Sequence, residues 1–330
     1  MRERLIQRLA VNPKQYRIVA YVTLAALTLI VFTGAAVRLT DSGLGCENWP
    51  KCGGTPLPPL SIHALIEFGN RVLSGIVGVV TVVAFVLALT RRPFRRDLAL
   101  IAVLLPLGVL GQAVLGGFTV LEHLAPGFVM GHFCLSMLIL VASMALAWRA
   151  RFEPGERPVA TDRVSVWSVR ALAPLTALTI FAGTAATAGG PHSGGFTGQV
   201  VHRLTFKGAD TLEWLVHKHA TVAAILGVAV IAVWFLKRRR GATTAEMEPL
   251  TVLGVLLAGQ GLLGSVQFEL KLPTDMVWIH VVLATVTWLV VMWVWAAEGS
   301  LAPKRVPVQS ADELDSLESR QTAAHTLEPA

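Results

Sequence analysis

Long apolar stretches alternate with short polar segments along the whole chain. Each stretch is long enough to cross a hydrocarbon core of about 30 Å as a helix. The pattern lacks the ten-residue segments of alternating polarity that are typical of membrane β-barrels. The sequence therefore predicts an all-α polytopic membrane protein. We expect eight spans, at residues 17–39, 62–89, 98–120, 127–149, 168–190, 211–236, 248–268 and 274–296.

Composition supports this class and excludes a soluble one. Hydrophobic residues make up 54% of the chain and charged residues 15%, whereas soluble proteins have about 45–50% and about 25%. The mean hydropathy of +0.61 agrees. The formal net charge of +7 would be compatible with nucleic-acid binding, so the location of the basic residues decides what it means.

The basic residues predict the orientation in the membrane. Of the 28 lysines and arginines, 21 lie in the two terminal tails, around residues 91–96, in the loop 149–170 and at 237–240. By the positive-inside rule these segments, and both termini, are cytoplasmic. The charge is thus a topology signal, and we expect no nucleic-acid partner. The C-terminal tail is polar and aperiodic, and we expect it to be disordered.

Self-comparison indicates an internal repeat. The Gly-Gln pair at 111–112 recurs at 259–260, and His132 recurs as His280, both at an offset of 148. Four crossings return the chain to its starting side, so the two halves run in the same direction. We expect two tandem four-helix bundles related by an axis along the membrane normal. The division is a basic tail at 1–16, a first unit at 17–149, a linker at 150–167, a second unit at 168–296 and a tail at 297–330.

Two histidines lie at equal depth on repeat-equivalent spans. His219 and His280 are each six to eight residues into their spans, about 10 Å below the outer surface. Such a pair on adjacent helices has the geometry for the axial ligands of heme iron. Proton relays also use membrane histidines. The glycines of the repeat, Gly111, Gly116 and Gly264, are interpreted as ordinary helix-packing positions.

The first unit departs from this arrangement. His132 matches His280, but an offset of 149 places Asn70 on His219. Asparagine is a poor iron ligand. A heme in the first unit would then have one protein ligand and an open or replaceable face. One closed site beside one open site separates electron storage from chemistry.

Glu67 is the carboxylate nearest to this difference. It precedes Asn70 by one helical turn and shares a helix face with His63. A carboxylate inside a span is costly unless it is paired or functional. An ion pair with Arg71 or a hydrogen bond to His63 is the structural alternative. The second unit has Val216 at this place, so we predict the reaction site in the first unit.

Three arginines and two cysteines complete the predicted outer end. Arg38, Arg71 and Arg203 either hold heme propionates or snorkel to lipid headgroups. Cys46 and Cys52 lie in the first outer loop, on the oxidising side, where a disulfide is the natural state. It is either structural or exchanges electrons with a partner thiol. Zinc is disfavoured because matching ligands are not nearby.

Taken together, these segments resemble the heme A synthases, membrane enzymes that convert heme O to heme A for cytochrome oxidase. The resemblance covers about residues 15–296. Its motifs are Arg38…Gly43-Leu-Gly-Cys46…Cys52, Ile66-Glu67-Phe-Gly-Asn70-Arg71, Gly190-Pro191-His192, His219-Ala220 and Gly259-Gln260…His280.

The resemblance implies a role for each part. Heme b would lie between His219 and His280, and heme O in the first unit, with His132 on its iron and Glu67 as the catalytic carboxylate. The C8 methyl of heme O would be oxidised to a formyl group by successive hydroxylations. The family pattern has histidine where this chain has Asn70. His63, two turns earlier, is a candidate substitute ligand.

The resemblance also implies partners and a location. We expect a multi-pass protein of the cell membrane that contacts lipid, receives heme O, and works with an electron acceptor and a heme O synthase. A non-catalytic cytochrome b that carries electrons is the main alternative, but it gives Glu67 no purpose. A two-repeat transporter is the third reading, and it leaves the matched histidine depths as coincidence.

Overall fold

Helices account for most of the described residues. The computed structural model describes residues 10–46, 48–54 and 57–301. The helices are α1 (Pro13–Leu39), α2 (Ile62–Thr90), α3 (Arg96–Ala102), α4 (Leu104–Leu121), α5 (Pro126–Arg151), α6 (Arg163–Gly189), α7 (Thr211–Arg239), α8 (Thr244–Glu269) and α9 (Thr274–Ala297). Because α3 and α4 run on as one span, the described residues form eight helices that are long and apolar enough to cross a membrane. The predicted all-α, multi-pass fold is confirmed.

Several helices begin earlier than their apolar segments suggest, because polar residues cap them. Asn12 and Gln15 form a capping box at the start of α1, and Thr243 and Glu246 form one at the start of α8. The Asp162 side chain accepts from the Val164 amide at the start of α6. Such caps satisfy the free N–H groups of a first turn, so the helix extends beyond the apolar stretch.

Most residues of the two predicted tails lie outside the part of the chain that the structure describes. Residues 1–9 and 302–330 are outside the described residues, so the expected disorder of the second tail stays a prediction. The short segment after α9 forms a strand, β2 (Ser300–Leu301), which pairs in parallel with β1 (Val159–Ala160) in the predicted linker. This pairing joins the end of the last helix to the segment between the two halves.

The third span is broken at Val103. Pro106, in the first turn of α4, has no N–H to donate to the carbonyl of Ala102, so the helical ladder is interrupted at this point. The break does not divert the chain, since α4 continues to Leu121 and completes the crossing.

Helix lengths and turn geometry recur along the chain. The first four spans have 27, 29, 26 and 26 residues, and helices α6 to α9 have 27, 29, 26 and 24. In the tight turn before α5, His123 and Leu124 have φ of 49° and 59°. Lys271 and Leu272, 148 residues later, have φ of 63° and 62° before α9. These matches support the proposed tandem repeat.

Tryptophans of α9 connect the two halves. The indole N–H of Trp288 donates to the carbonyl of Met137 in α5 at 3.0 Å, in a buried position. Near the other end of α9, Trp278 donates to the carbonyl of Phe32 in α1 at 3.0 Å. Trp288 also belongs to the apolar core formed by the first four spans. Helix α9 is therefore part of the interface between the halves as well as of the second half.

One end of the bundle, here called the basic end, is closed by buried ion pairs. Arg91 is fully buried and pairs with Glu153. Lys237 is 2% exposed and lies 2.6 Å from both Glu246 and Glu298. Burial raises the pKa of the Glu298 carboxyl above its ordinary value. The sequence prediction treated these cations only as markers of topology. Their pairing also matters for stability, because burying either charge without a partner would be strongly destabilising.

Candidate functional site

The predicted site residues lie at the opposite end, called the loop end, and at matched positions along their helices. Counting from the first residue, His132 is the seventh residue of α5 and His280 the seventh of α9. Asn70 is likewise the ninth residue of α2 and His219 the ninth of α7. Since each helical residue rises 1.5 Å, equal positions give equal depths.

His219 and His280 meet in the second half. Their ring centroids are 6.2 Å apart and their planes are inclined by 73°. A metal lies about 2 Å from an imidazole nitrogen, and the ring centre lies about 1 Å beyond that nitrogen. Two imidazoles on opposite sides of one metal ion therefore have centroids about 6 Å apart. The separation fits a shared metal ion whose remaining ligands come from elsewhere, as in heme.

A hydrogen bond fixes the tautomer of His219. Its Nδ1 lies 3.0 Å from the carbonyl oxygen of Thr179 in α6. A carbonyl only accepts, so Nδ1 carries the proton and Nε2 keeps its lone pair. Metal-binding histidines are commonly oriented by such a bond from the second ring nitrogen. The bond to the Thr179 carbonyl thus leaves the Nε2 lone pair of His219 free.

Each of these four positions faces a glycine on a neighbouring helix. A β-carbon on that glycine would lie 3.0 to 4.0 Å from the facing side chain. The pairs are Gly183 with His219, Gly264 with His280, Gly116 with His132, and Gly34 with Asn70. The tightest, at Gly183, would push the imidazole aside. The sequence interpretation of Gly116 and Gly264 as ordinary helix-packing positions omits this contact. The offset of 148 that relates these two glycines also relates His132 to His280, and this shared offset is the signal that could have linked them.

Two glutamines brace the histidine helices in the same way. Gln112 Nε2 donates to the carbonyl of His132 at 3.0 Å, and Gln260 Nε2 donates to the carbonyl of His280 at 3.1 Å. Nδ1 of both histidines is buried without a hydrogen-bond partner in the described part of the chain. The surroundings of His132 therefore reproduce those of His280 closely.

Glu67 is engaged at both carboxylate oxygens. One oxygen lies 2.5 Å from Nη2 of Arg71, and the other accepts the backbone N–H of Cys46 at 2.7 Å. The residue is 5% exposed. The structure thus shows the ion pair that was one of the two structural alternatives, and it adds a contact with the first loop. Glu67 connects α2 to that loop.

Arg71 is committed to the same loop. Its Nη1 donates to the carbonyls of Asn48 and Lys51, each at 2.9 Å. Cys46 and Cys52 form a disulfide that closes this segment, as predicted. We call residues 46 and 48–52, together with their disulfide, the disulfide loop. In this structure the Arg71 guanidinium contacts these loop carbonyls and Glu67.

Trp49 packs the disulfide loop against the first unit. A β-carbon on Gly117 of α4 would lie 3.0 Å from the Trp49 ring, so the indole packs directly on the backbone of that helix. Gly116, the preceding residue, is the one that faces His132. The loop thus lies against the same helix that forms one wall beside His132.

Arg38 and Arg203 come together at the boundary between the halves. Both donate through Nη2 to the carbonyl of Thr187 at 3.3 Å, and Arg38 also donates to the carbonyl of His192. Among the described residues, neither guanidinium lies within ion-pair distance of a carboxylate. Desolvation lowers the pKa of Arg203. Two neighbouring cations without a counter-ion make an attractive position for an anion.

His63 has other contacts. Its Nδ1 lies 3.1 Å from the hydroxyl of Ser42, and its ring stacks on Phe196 at 5.2 Å between centroids. Phe196 belongs to the long loop between α6 and α7. The imidazole therefore joins the loops of the two halves, and the structure does not show it beside His132.

The fold and these contacts define a class: a multi-pass membrane protein with paired inner histidines at the loop end of a repeated helix bundle. The sequence matches the COX15-CtaA family, described as cytochrome oxidase assembly protein, over residues 17–65 and 61–292. The chain belongs to that family.

Curated relatives of the chain carry a more specific name. A heme A synthase from Symbiobacterium thermophilum is 35% identical over 182 residues, covering 52% of this chain and 58% of the relative. A heme A synthase from Shewanella oneidensis is 32% identical over 180 residues, covering 48% and 51%. One from Lysinibacillus sphaericus is 32% identical over 123 residues, covering 37% and 40%. The chain thus aligns with about half the length of the curated relatives it matches.

Gly45 provides a test of how the disulfide loop is held. A β-carbon there would lie 2.4 Å from the backbone of His63, so Gly45→Ala must shift the chain just before Cys46 and weaken its bond to Glu67. A hydrogen bond to a charged group contributes about 1.5–3 kcal/mol. We expect a lower melting temperature and faster reduction of the disulfide by added thiol. In the control Gly54→Ala, the β-carbon meets nothing within 4 Å. Equal behaviour of the two variants would contradict this account.

Proposed function

We propose that the protein is a heme A synthase, which oxidises the C8 methyl of heme O to a formyl group. The reaction proceeds by successive hydroxylations and loss of water from the gem-diol, and removes four electrons in total. Membership of the COX15-CtaA family supports it, as does the name of the relatives. The observation that carries it is the imidazole pair of His219 and His280 in one half, together with the buried carboxylate of Glu67 in the other half, where the second unit has Val216.

The second unit, residues 168–296, would hold heme b between His219 and His280. When bound, heme b supplies reversible one-electron chemistry. The chain contributes a neutral His219 whose Nε2 is oriented by Thr179, and a glycine beside each ring that leaves it room. The 6.2 Å separation of the imidazoles agrees with this assignment.

The first unit, residues 17–149, would receive heme O, with His132 on its iron. The Gln112 brace and the glycine beside the ring match those of His280. His132 is therefore supported in the way expected of an axial ligand. Its helical position on α5 equals that of His280 on α9.

Glu67 is proposed as the proton acceptor of the reaction. It lies one turn from Asn70, and the second unit has Val216 in its place. Arg71 and the Cys46 amide hold both carboxylate oxygens, so the same contacts that position Glu67 also place it under the disulfide loop. Proton transfer by a positioned carboxylate contributes about 10²- to 10⁴-fold to a rate.

Arg38 and Arg203 are proposed to bind a heme propionate. A carboxylate between them would supply the counter-ion that the described residues do not. Arg38 belongs to the first half and Arg203 to the loop of the second, so the anion would bridge the two halves. Arg71, in contrast, is assigned to the disulfide loop.

The proposal extends to location and partners. We place the protein in the cell membrane with both termini in the cytoplasm, because the basic end then obeys the positive-inside rule. An insoluble substrate favours direct transfer from a heme O synthase, and the four electrons require an acceptor. The electron-carrier alternative is less favoured, because it leaves the asymmetry at Asn70 and Glu67 without a role.

Replacing His219 tests the heme b assignment, and the neighbouring His217 gives a matched control. His217 is exposed, and its Nδ1 donates to the Glu213 carbonyl on its own helix. We expect His219→Ala to lose the reduced-minus-oxidised spectrum that two imidazole ligands give heme b, and His217→Ala to keep it. The measurement is optical spectroscopy of the purified proteins. A retained heme b spectrum in His219→Ala would remove this residue from the ligand set.

Replacing Glu67 separates its two proposed roles. Glu67→Gln keeps an oxygen to accept from the Cys46 amide but loses the charge and the basicity. We expect heme b to be retained and the yield of heme A to fall at least 100-fold, since general-base catalysis contributes about that much or more. Heme content is measured by chromatography of extracts. Full activity of Glu67→Gln would show that the carboxylate serves only to hold the loop.

A further inference from the structure

The two histidine sites differ in one half only. The His132 side of the first unit copies the His280 side in helix position, glycine contact, glutamine brace and buried Nδ1. On the other side, an amide replaces an imidazole at the ninth residue of the helix. The exchange of imidazole for amide, like that of Val216 for Glu67 one turn earlier, changes the side opposite His132 and leaves the surroundings of His132 as they are in the second unit.

The side-chain oxygen of Asn70 is unpartnered among the described residues. This atom, Oδ1, is buried. A buried polar atom without a partner costs about 1–3 kcal/mol, so such atoms usually bond to a ligand or an ordered water. The amide offers both an acceptor and two donors. It therefore suits a small ligand that either donates or accepts a hydrogen bond.

There is room beside Asn70 for such a ligand. An open groove of about 260 Å³ between α1 and α2 gives access to the Asn70 side chain, and it is lined by Asn70, Thr33, Ala36, Ile66 and Gly69 among others. One water occupies about 30 Å³ of the liquid, so the space exceeds that of a diatomic molecule or a water. Gly34, which faces Asn70, places no side chain against it.

The substitute ligand considered from the sequence is engaged elsewhere. His63 bonds to Ser42 and stacks on Phe196, so bringing it to the iron would require breaking contacts between the loops of both halves. Glu67 is likewise held by Arg71 and Cys46. The side chains nearest to Asn70 on its own helix face are thus committed to the loops.

We propose that the first-unit site keeps an exchangeable position opposite His132, where Asn70 hydrogen-bonds a small neutral ligand: water can donate to Oδ1, and a diatomic gas can accept from Nδ2. This inference rests on the proposed function, because it requires a heme in the first unit. The second-unit site is closed, since His219 fills the equivalent position. The chain therefore contains one heme site that admits an external ligand and one that excludes it.

Carbon monoxide is the probe, used on the full-length protein containing both hemes and reduced with dithionite. We expect one carbon monoxide per protein, bound to the first-unit heme, with the heme b bands unchanged. Asn70→His should abolish binding by supplying a sixth ligand. Asn70→Ala should still bind, with dissociation about fivefold faster, because one hydrogen bond of about 1 kcal/mol is lost.

The repeat supplies a second, reciprocal variant. His219→Asn recreates the first-unit arrangement in the second unit and should make heme b reactive toward carbon monoxide. Extracted hemes are identified in every sample. A wild-type protein that contains a heme O-derived heme yet binds no carbon monoxide would overturn this inference and leave the proposed function standing. Binding that survives Asn70→His, or an unreactive heme b in His219→Asn, would also overturn it. Absence of any first-unit heme would contradict the proposed function itself.

Discussion

The close approach between an inner side chain and a glycine on the next helix determines the geometry of the loop end. The same contact occurs at Gly183, Gly264, Gly116 and Gly34. Without a β-carbon, each helix lets its neighbour's ring or amide lie against the backbone, and small residues at helix interfaces permit this in membranes. The imidazoles then lie at equal depth with 6.2 Å between centroids in the second half. The proposed heme binding depends on this spacing. So do the hydrogen bond that fixes the tautomer of His219 and the position of Asn70 in the first half.

The disulfide loop and the interface depend on that bundle in turn. Glu67 and Arg71 hold the loop from α2, and Trp49 seats it on α4 beside the His132 wall. Across the halves, Arg38 reaches the Thr187 carbonyl in α6, and Trp288 reaches α5. The two proposed heme sites therefore lie in halves that bond directly to each other.

Much of the fold could be predicted, because membrane thickness imposes a minimum apolar length and a helix converts residue offset into depth. The eight spans and the matched depths of His219 and His280 follow from these two constraints, and the disulfide follows from the oxidising side on which its loop lies. Helix starts were missed where Asn12, Asp162 or Thr243 cap beyond the apolar segment. The contacts that Arg71 and His63 make could not be predicted, since they depend on the path of the loops. Similarly, no sequence pattern identifies the Thr179 carbonyl as the partner of His219.

The most direct test is chromatography of the hemes extracted from the purified protein, expressed in cells that also make heme O. The account predicts heme A, or its hydroxylated precursor, together with heme b. Heme b alone, with heme O available, would contradict the synthase function and favour an electron carrier. A preparation without heme would contradict both and leave a transporter, in which the paired histidines serve another purpose.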